Sequence, residues 1–328
     1  MQVPTPCGPL SEVVITGLRD GRASSHVDAF ADKVTDVTDP LADADLQLAL
    51  ACCYELHYRG FDGVDDAVEW DPGTMALTRL LERAFEAAVL RAVPRPPAAA
   101  DVVGDLGLLV EKDDAPSLSA HLLRRADVEQ WREFLVQRSV YHLKEADPHT
   151  WQVPRITGRA KAALVEIQMD EYGGGRPDGM HSALFARAMR ELGLDDSYGA
   201  YWPQALPETH AMVNLMTLFG LHRRHRGAAL GHLAALEMTS TSPNRRYGNG
   251  LRRLGFGPAA TAYFDEHVEA DAVHEQIAAV DMCGSFAADE PHLVADVLWG
   301  AASCLALDAA AGAALLRRWD AQDEAGAA

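Results

Sequence analysis

The stretch Tyr263-Phe264-Asp265-Glu266-His267-Val268-Glu269-Ala270-Asp271-Ala272-Val273-His274 contains neither Gly nor Pro and is rich in Ala and Glu, which predicts a helix. On a helix His267, Asp271 and His274 stand at i, i+4 and i+7 and share one face. Two imidazoles and a carboxylate pointing the same way suit Fe(II) or Mn(II), and Zn less specifically. Charged positions on an exposed helix also fall into register by chance, so the stripe gains meaning only if other segments supply further ligands.

Three other segments do. Upstream, a predicted helix ends at Glu171-Tyr172 and runs into Gly173-Gly174-Gly175-Arg176-Pro177, after which a new helix begins around Asp178-Gly179-Met180-His181. No strand precedes these glycines and no Gly-Lys-Ser/Thr follows them, so a phosphate loop is rejected. The breaker instead lets Glu171 and His181 project from two successive helices that meet at a corner. Asp178 has two readings, an N-cap for the new helix or a further ligand. Glu237 lies on the otherwise apolar stretch Leu233 to Met238, where an ionised carboxylate facing a core needs a cation or a donor. His232 points to a different face, and His222 and His225 in the basic run 221–226 read as a solvated helix end. The inventory is Glu171, His181, Glu237, His267, Asp271 and His274, with Asp178 as a seventh candidate. Three carboxylates and three imidazoles are what two first-row metals need while positions stay open for dioxygen.

The chain has 328 residues, 48% apolar and 23% charged, ordinary for a globular protein with a real core. A net charge of −19 excludes a basic stripe for nucleic acid. The five cysteines, Cys7, Cys52, Cys53, Cys283 and Cys304, include no CxxC pair, so neither a disulfide framework nor a thiolate zinc site is indicated and a reducing, cytoplasmic setting is expected. No export signal or membrane-spanning run is expected.

Along the chain the first forty residues are uninformative. Helices are predicted over 46–58, where Tyr54, Glu55 and His57 in the last turn read as structural, and over 75–93, after the helix-entry signal Glu69-Trp70-Asp71-Pro72. Arg95-Pro96-Pro97-Ala98-Ala99-Ala100 is the best boundary, separating an N-terminal helical extension (1–110) from a second domain (111–328). Further helices are predicted over 117–124, 127–144, 156–172, 179–192, 208–224, 226–239, 244–254, 258–282 and 291–317, with a short apolar run at 106–110 as the one candidate strand. The fold class is all-α, a bundle in which sites are built from side chains on facing helices.

The spacing Glu171, Asp178-x-x-His181, Glu237, His267-x3-Asp271-x2-His274, with Asp-Glu-Tyr-Gly, Met-His-x-x-Leu-Phe and Pro-Asn-Arg-Arg-Tyr nearby, closely resembles the haem-oxygenase-like dimetal oxidases and oxygenases, the iron-containing redox enzymes. The likeness covers about 155 to 320. It implies a haem-oxygenase-like seven-helix bundle that binds two irons and uses O2 as co-substrate. Glu171, His181 and Glu237 would serve one iron and His267, Asp271 and His274 would complete the pair, with Asp178 where some members carry an additional carboxylate. It also implies a diiron oxidoreductase of specialised metabolism acting on a small amino-acid-like or amine substrate by N-oxygenation, desaturation, cyclisation or C–C cleavage. An external electron donor and a homodimer formed through the N-terminal extension are further expectations. Arg245 and Arg246, which follow Glu237, are candidates to hold a substrate carboxylate through two parallel hydrogen bonds, although surface salt bridges are the alternative. Two competing readings are a non-catalytic iron- or haem-binding bundle and a mononuclear iron oxidase; six convergent ligands exceed the one or two axial residues a haem requires.

Overall fold

The computed structural model describes residues 1–21, 27–97, 101–112 and 117–327; for residues 27, 271, 272, 323 and 325–327 it describes the backbone course alone. Four helices come first: α1 (Pro9–Arg19), α2 (Val27–Thr35), α3 (Ala44–Glu55) and α4 (Pro72–Ala92). The central part contains α5 (Val102–Glu111), α6 (Leu118–Arg124), α7 (Val128–His142), the single turn α8 (Asp147–Thr150), α9 (Gly158–Glu171) and α10 (His181–Glu191). The last part consists of α11 (Pro207–Leu221), α12 (Arg226–Arg253), α13 (Pro258–Gln276), α14 (Ser285–Asp289) and α15 (Val294–Ala327). Among the described residues there is no strand, and the fold is an all-α bundle.

The helix starts follow local chemistry. Asp43 accepts a hydrogen bond from the Leu46 N–H at the head of α3, and Asp71 accepts one from Thr74 at the head of α4, where Pro72 contributes its preset φ. The first forty residues, silent in the sequence, hold α1, whose buried Leu10, Val14, Ile15 and Leu18 recur at helical spacing. The apolar run at 106–110 is not a strand. It lies inside α5, whose Val102 and Leu106 join a core with Val297 and Leu298 of α15, so its apolar face is satisfied by one flank of the bundle.

Two further expectations are corrected. The segments 226–239 and 244–254 form one helix, α12, which continues through Pro243 while packed along its length against α13 and α15. The basic run at 221–226 is not a solvated end: His225 is 1% exposed, and its Nε2 lies 3.2 Å from Glu86 of α4. His222 reaches Glu82 at 2.6 Å, and Arg224 grips Glu86 with both nitrogens. Helix α4 thus anchors the turn between α11 and α12.

The N-terminal helices turn their apolar faces inward. Leu50 and Phe85 share a core with Met212, Leu215 and Phe219 of α11, and a buried ion pair joins Glu55 of α3 to Lys144, one residue before a future site residue, at 3.2 Å. Helix α15 is apolar enough to meet the length and hydropathy test for a membrane span, contrary to expectation; its most apolar window within Pro291–Gln322 averages 1.5 in mean hydropathy, and 56% of that window is buried. That burial against α11, α12 and α5 is the pattern of a core helix.

Helices α12 and α15 approach so closely that side chains cannot intervene. A Cβ on Gly231 would collide with the Val297 carbonyl, and one on Gly300 with the Ala228 carbonyl. Gly231→Ala or Gly300→Ala is therefore expected to cost about 1–3 kcal/mol in chemical denaturation, the range for overpacking a filled core. Gly107→Ala, at a helical position with open space around it, should be neutral or slightly stabilising.

Burial pushes the His210 imidazole down to about 4, while its Nε2 lies 3.2 Å from the Trp202 carbonyl oxygen. An unfolded imidazole titrates near ~6.5. Between those two values the unfolded chain takes up a proton that the folded chain refuses. This contribution to stability is thus complete above pH ~6.5 and declines as pH falls towards 4, by up to ~1.4 kcal/mol per pH unit for this group. Denaturation curves at stepped pH should show His210→Gln losing that part of the slope.

Candidate metal centre

Glu171 closes α9, and His181 opens α10. Between them Gly173, Gly174 and Gly175 take φ values of 67°, 60° and 79°, left-handed conformations that side-chain-bearing residues adopt at a cost. The turn folds back so tightly that a Cβ on Gly173 would strike the backbone of Gly179. This reversal brings His181 Nδ1 to 2.9 Å from Glu171 Oε2. The expected corner between two helices is present.

Around that corner two donor groups form. Glu145, Glu171, His181 and His267 each offer one atom, all within 4.8 Å of one another, and Glu171, Glu237 and His274 form a second such group. Glu171 belongs to both. All six residues are buried, none more than 8% exposed.

The imidazoles are oriented by their outer nitrogens. His267 donates from Nδ1 to the Tyr263 carbonyl at 2.8 Å, one helical turn back, which turns Nε2 towards Glu145 at 3.6 Å. His274 has Nε2 3.0 Å from Asp170 and Nδ1 3.5 Å from Glu237. Such hydrogen bonds fix the tautomer and leave the inner nitrogen's lone pair for a metal. Glu145 is held in turn at Oε1 by the Tyr263 hydroxyl at 2.8 Å and by His142 Nδ1 at 3.0 Å.

Charge in this pocket is balanced by proximity. Burial pushes the Glu145 carboxyl up, but His142 and His267 outweigh it and hold the group well below the usual carboxylate range. Burial likewise works to discharge His181, and the Glu171 carboxylate more than offsets it, leaving the imidazole above its ordinary value. Even so, Glu145 Oε2 is buried without a hydrogen-bond partner, and Glu171 Oε2 and His181 Nδ1, although 2.9 Å apart as an ion pair, do not meet in hydrogen-bond geometry. Orphaned acceptors and imidazole nitrogens converging on one point are costly as they stand and are satisfied by a cation at that point. A mixed set of carboxylates and imidazoles fits iron or manganese, so the residues fit the metal that the sequence led us to expect.

Five of the six expected residues, Glu171, His181, Glu237, His267 and His274, are thus brought together. The side chain of Asp271 lies outside the described residues. Asp178 is exposed in a short turn (Pro177–Gly179); the N-cap position of α10 belongs to Met180, and Asp178 joins neither donor group. Glu145 was missed. It falls just past the helix predicted over 127–144 and, with His142 and Lys144 before it and Asp147 after it, lacks the apolar surroundings that singled out Glu237. In the fold Lys144 turns away to Glu55 and Glu145 turns in.

Against the site lies a cavity of about 230 Å³, bounded by Glu145, Glu171, Glu237 and His267 at one end and by Phe134, Arg138, Tyr247 and Asp308 among its other walls. Arg245 is exposed, and Arg246 bonds Ser119 at 3.2 Å and Ser117 at 3.3 Å; neither lines this cavity, although Asn244 and Tyr247 on either side of them do, because the helical turn points the two arginines away from it. The guanidinium that lines it is that of Arg138 on α7. His232 is buried as expected, with Nδ1 3.2 Å from His149.

Comparison with known proteins agrees with this geometry. The family described as "iron-containing redox enzyme" matches residues 132–309, more than half the chain and every residue of the two donor groups. The chain is also similar to a nitrosourea synthase of Streptomyces achromogenes subsp. streptozoticus, 30% identical over 147 residues, which covers 45% of this chain and 31% of the relative. The matched stretch therefore spans less than a third of that relative's length.

Because Asp178 neither caps α10 nor reaches the donors, Asp178→Ser is expected to leave thermal stability and bound metal, measured by elemental analysis, unchanged. A loss of metal in that variant would place Asp178 in the site after all.

Proposed function

Because this chain belongs to the iron-containing redox enzyme family, whose haem-oxygenase-like helical bundle it shares, we propose that it is an O2-dependent, non-haem diiron oxidase or oxygenase acting on a small amino-acid-like or amine substrate. One observation carries the dinuclear part of this reading: Glu171 is common to two adjoining donor groups, as a carboxylate shared between two cations would be. Glu145, His181 and His267 would hold one iron and Glu237 and His274 the other, and Asp271, which the sequence puts four residues after His267, is kept as a candidate ligand. When bound, such a pair supplies the electrons and the coordination positions that reduce dioxygen.

The chain's own residues supply the rest. Phe134, Phe185, Leu233 and Leu236 line the cavity with apolar surface, which limits water around the reacting atoms. Tyr263 donates its hydroxyl hydrogen to Glu145 and fixes that carboxylate's orientation. A volume of about 230 Å³ is below the ~300–1,000 Å³ typical of drug-sized sites, which favours a small metabolite over a fatty acid or a macromolecule. The name of the related protein, nitrosourea synthase, puts oxidation at nitrogen first among the reactions considered. For a secondary amine this is R2NH + O2 + 2e⁻ + 2H⁺ → R2NOH + H2O, so an external donor of two electrons belongs to the proposal. A haem-binding role has nothing comparable in its favour.

Anaerobic titration with Fe(II) tests the reading. The protein should saturate at about two Fe(II) per chain, since the donor set exceeds what one open-sided iron can use. Glu145→Ala or His274→Ala should each lose about one equivalent, and Glu171→Ala most of both, while the exposed Glu266→Ala should lose none. Saturation at one in the unaltered protein, with full O2 consumption, would replace the dinuclear reading by a mononuclear one.

A further inference from the structure

The cavity has a second charged feature that the metal site does not require. Arg138 on α7 stands seven residues before Glu145, which lies in the turn that follows α7, and both line the same cavity. Its Nη1 lies 2.7 Å from Asp308 Oδ1 on α15 and 3.4 Å from Met212 Sδ, and its guanidinium sits 5.7 Å from the centre of the Phe134 ring. Tyr247 of α12 lines the same cavity. The Arg138 side chain is 17% exposed, whereas that of Asp308 is 43% exposed. Burial works to discharge the guanidinium, and Asp308 outweighs it and keeps it charged.

A guanidinium carries five N–H donors, more than Asp308 and Met212 consume, and Asp308 has a second carboxylate oxygen beyond the one that Arg138 engages. A charged pair of this kind is a poor way to stabilise a wall. With Asp308 43% exposed the pair is partly solvated, and ion pairs in that setting contribute little to stability, so holding the wall together gives little reason for it. In a ligand cavity the same pair has a use, since it presents a planar cation and an anion side by side, the complement of an ammonium and a carboxylate on one carbon.

Resting on the function proposed above, we infer that Arg138 and Asp308 form a clamp for the zwitterionic head of a free α-amino acid, Arg138 taking the carboxylate and Asp308 the ammonium, with the substrate's side chain directed along the cavity towards Glu145, Glu171 and Glu237. Both are positioning residues. They select an amino acid over the corresponding amine, ester or N-acyl compound, and they set which side-chain atom lies nearest the donor groups.

The test is equilibrium binding by calorimetry, with metal-free and Fe(II)-loaded full-length protein. The probes are the free proteinogenic amino acids, then the methyl ester, decarboxylated amine and N-acetyl form of whichever binds. The unaltered protein should bind at least one amino acid and should bind its ester, amine and N-acetyl forms about tenfold or more weakly. Arg138→Gln should abolish the preference for acid over ester and amine. Asp308→Asn, at the more exposed member, should abolish the preference for free ammonium over N-acetyl and keeps the idea testable if Arg138→Gln does not fold. Both variants should retain about two Fe(II), a readout that depends on the donor residues and not on the clamp. Equal preferences in variants and unaltered protein would overturn the clamp while leaving the diiron reading intact. Binding of simple amines with no amino acid bound, or of nothing in the panel, would overturn it as well. Loss of iron stoichiometry in the unaltered protein would instead bring down the reading on which the clamp rests.

Discussion

Everything in this molecule is arranged around the burial of three carboxylates and three imidazoles at one place in an apolar bundle. Glu145, Glu171, Glu237, His181, His267 and His274 are each almost removed from water, and an unpaired charge in such surroundings costs several kcal/mol. The protein meets that cost by pairing acids with bases at 2.9 to 3.6 Å, by hydrogen bonds from Tyr263 and His142 to Glu145, and by one from His274 to Asp170. Several acceptor and donor atoms are nevertheless left aimed at a common centre. A cation resolves that frustration, and this couples stability of the site to metal.

The rest of the fold holds these donors at the required separation. Because they come from the turn after α7, the end of α9, the start of α10, the middle of α12 and two turns of α13, no single helix defines the centre. Packing does. The close seam between α12 and α15, permitted by Gly231 and Gly300, fixes where Glu237 stands, and the three-glycine reversal fixes Glu171 against His181. After His274, α13 passes into a π-helical stretch (Ile277–Gly284) that packs on α9. Wider turns of this kind are frequent near functional sites, since they shift side-chain register without breaking the helix.

The N-terminal helices are tied to the same centre from behind. Their apolar faces fill a core with α11, and Glu55 of α3 draws Lys144 outward beside Glu145, which faces inward. One residue of chain thus separates a structural ion pair from the donor cluster. This arrangement links the position of α3 to the site through a single peptide unit, the one joining Lys144 to Glu145.

What the sequence determined by itself is what periodicity, breakers and isolated charge can encode. Helical spacing and the near absence of strand patterns announced an all-α bundle, and the spacing of Glu171, His181, Glu237, His267 and His274 picked out five residues that the fold gathers into the two candidate donor groups. Local signals failed where a neighbour or a distant helix decides the outcome. Glu145 looks like half of a charged helix end until Lys144 is seen to pair with Glu55, 89 residues away in the chain. Arg245 and Arg246 follow Glu237 in sequence, but the helical turn carries them to the outer face of α12, while Arg138, about a hundred residues earlier, is folded into the cavity beside Asp308. His225, in a basic run that reads as solvated, is buried because α4 brings Glu86 to it. Residue type and spacing fix which groups share a helix face; which faces meet depends on contacts between segments far apart in the chain, and these exist only once the bundle has closed.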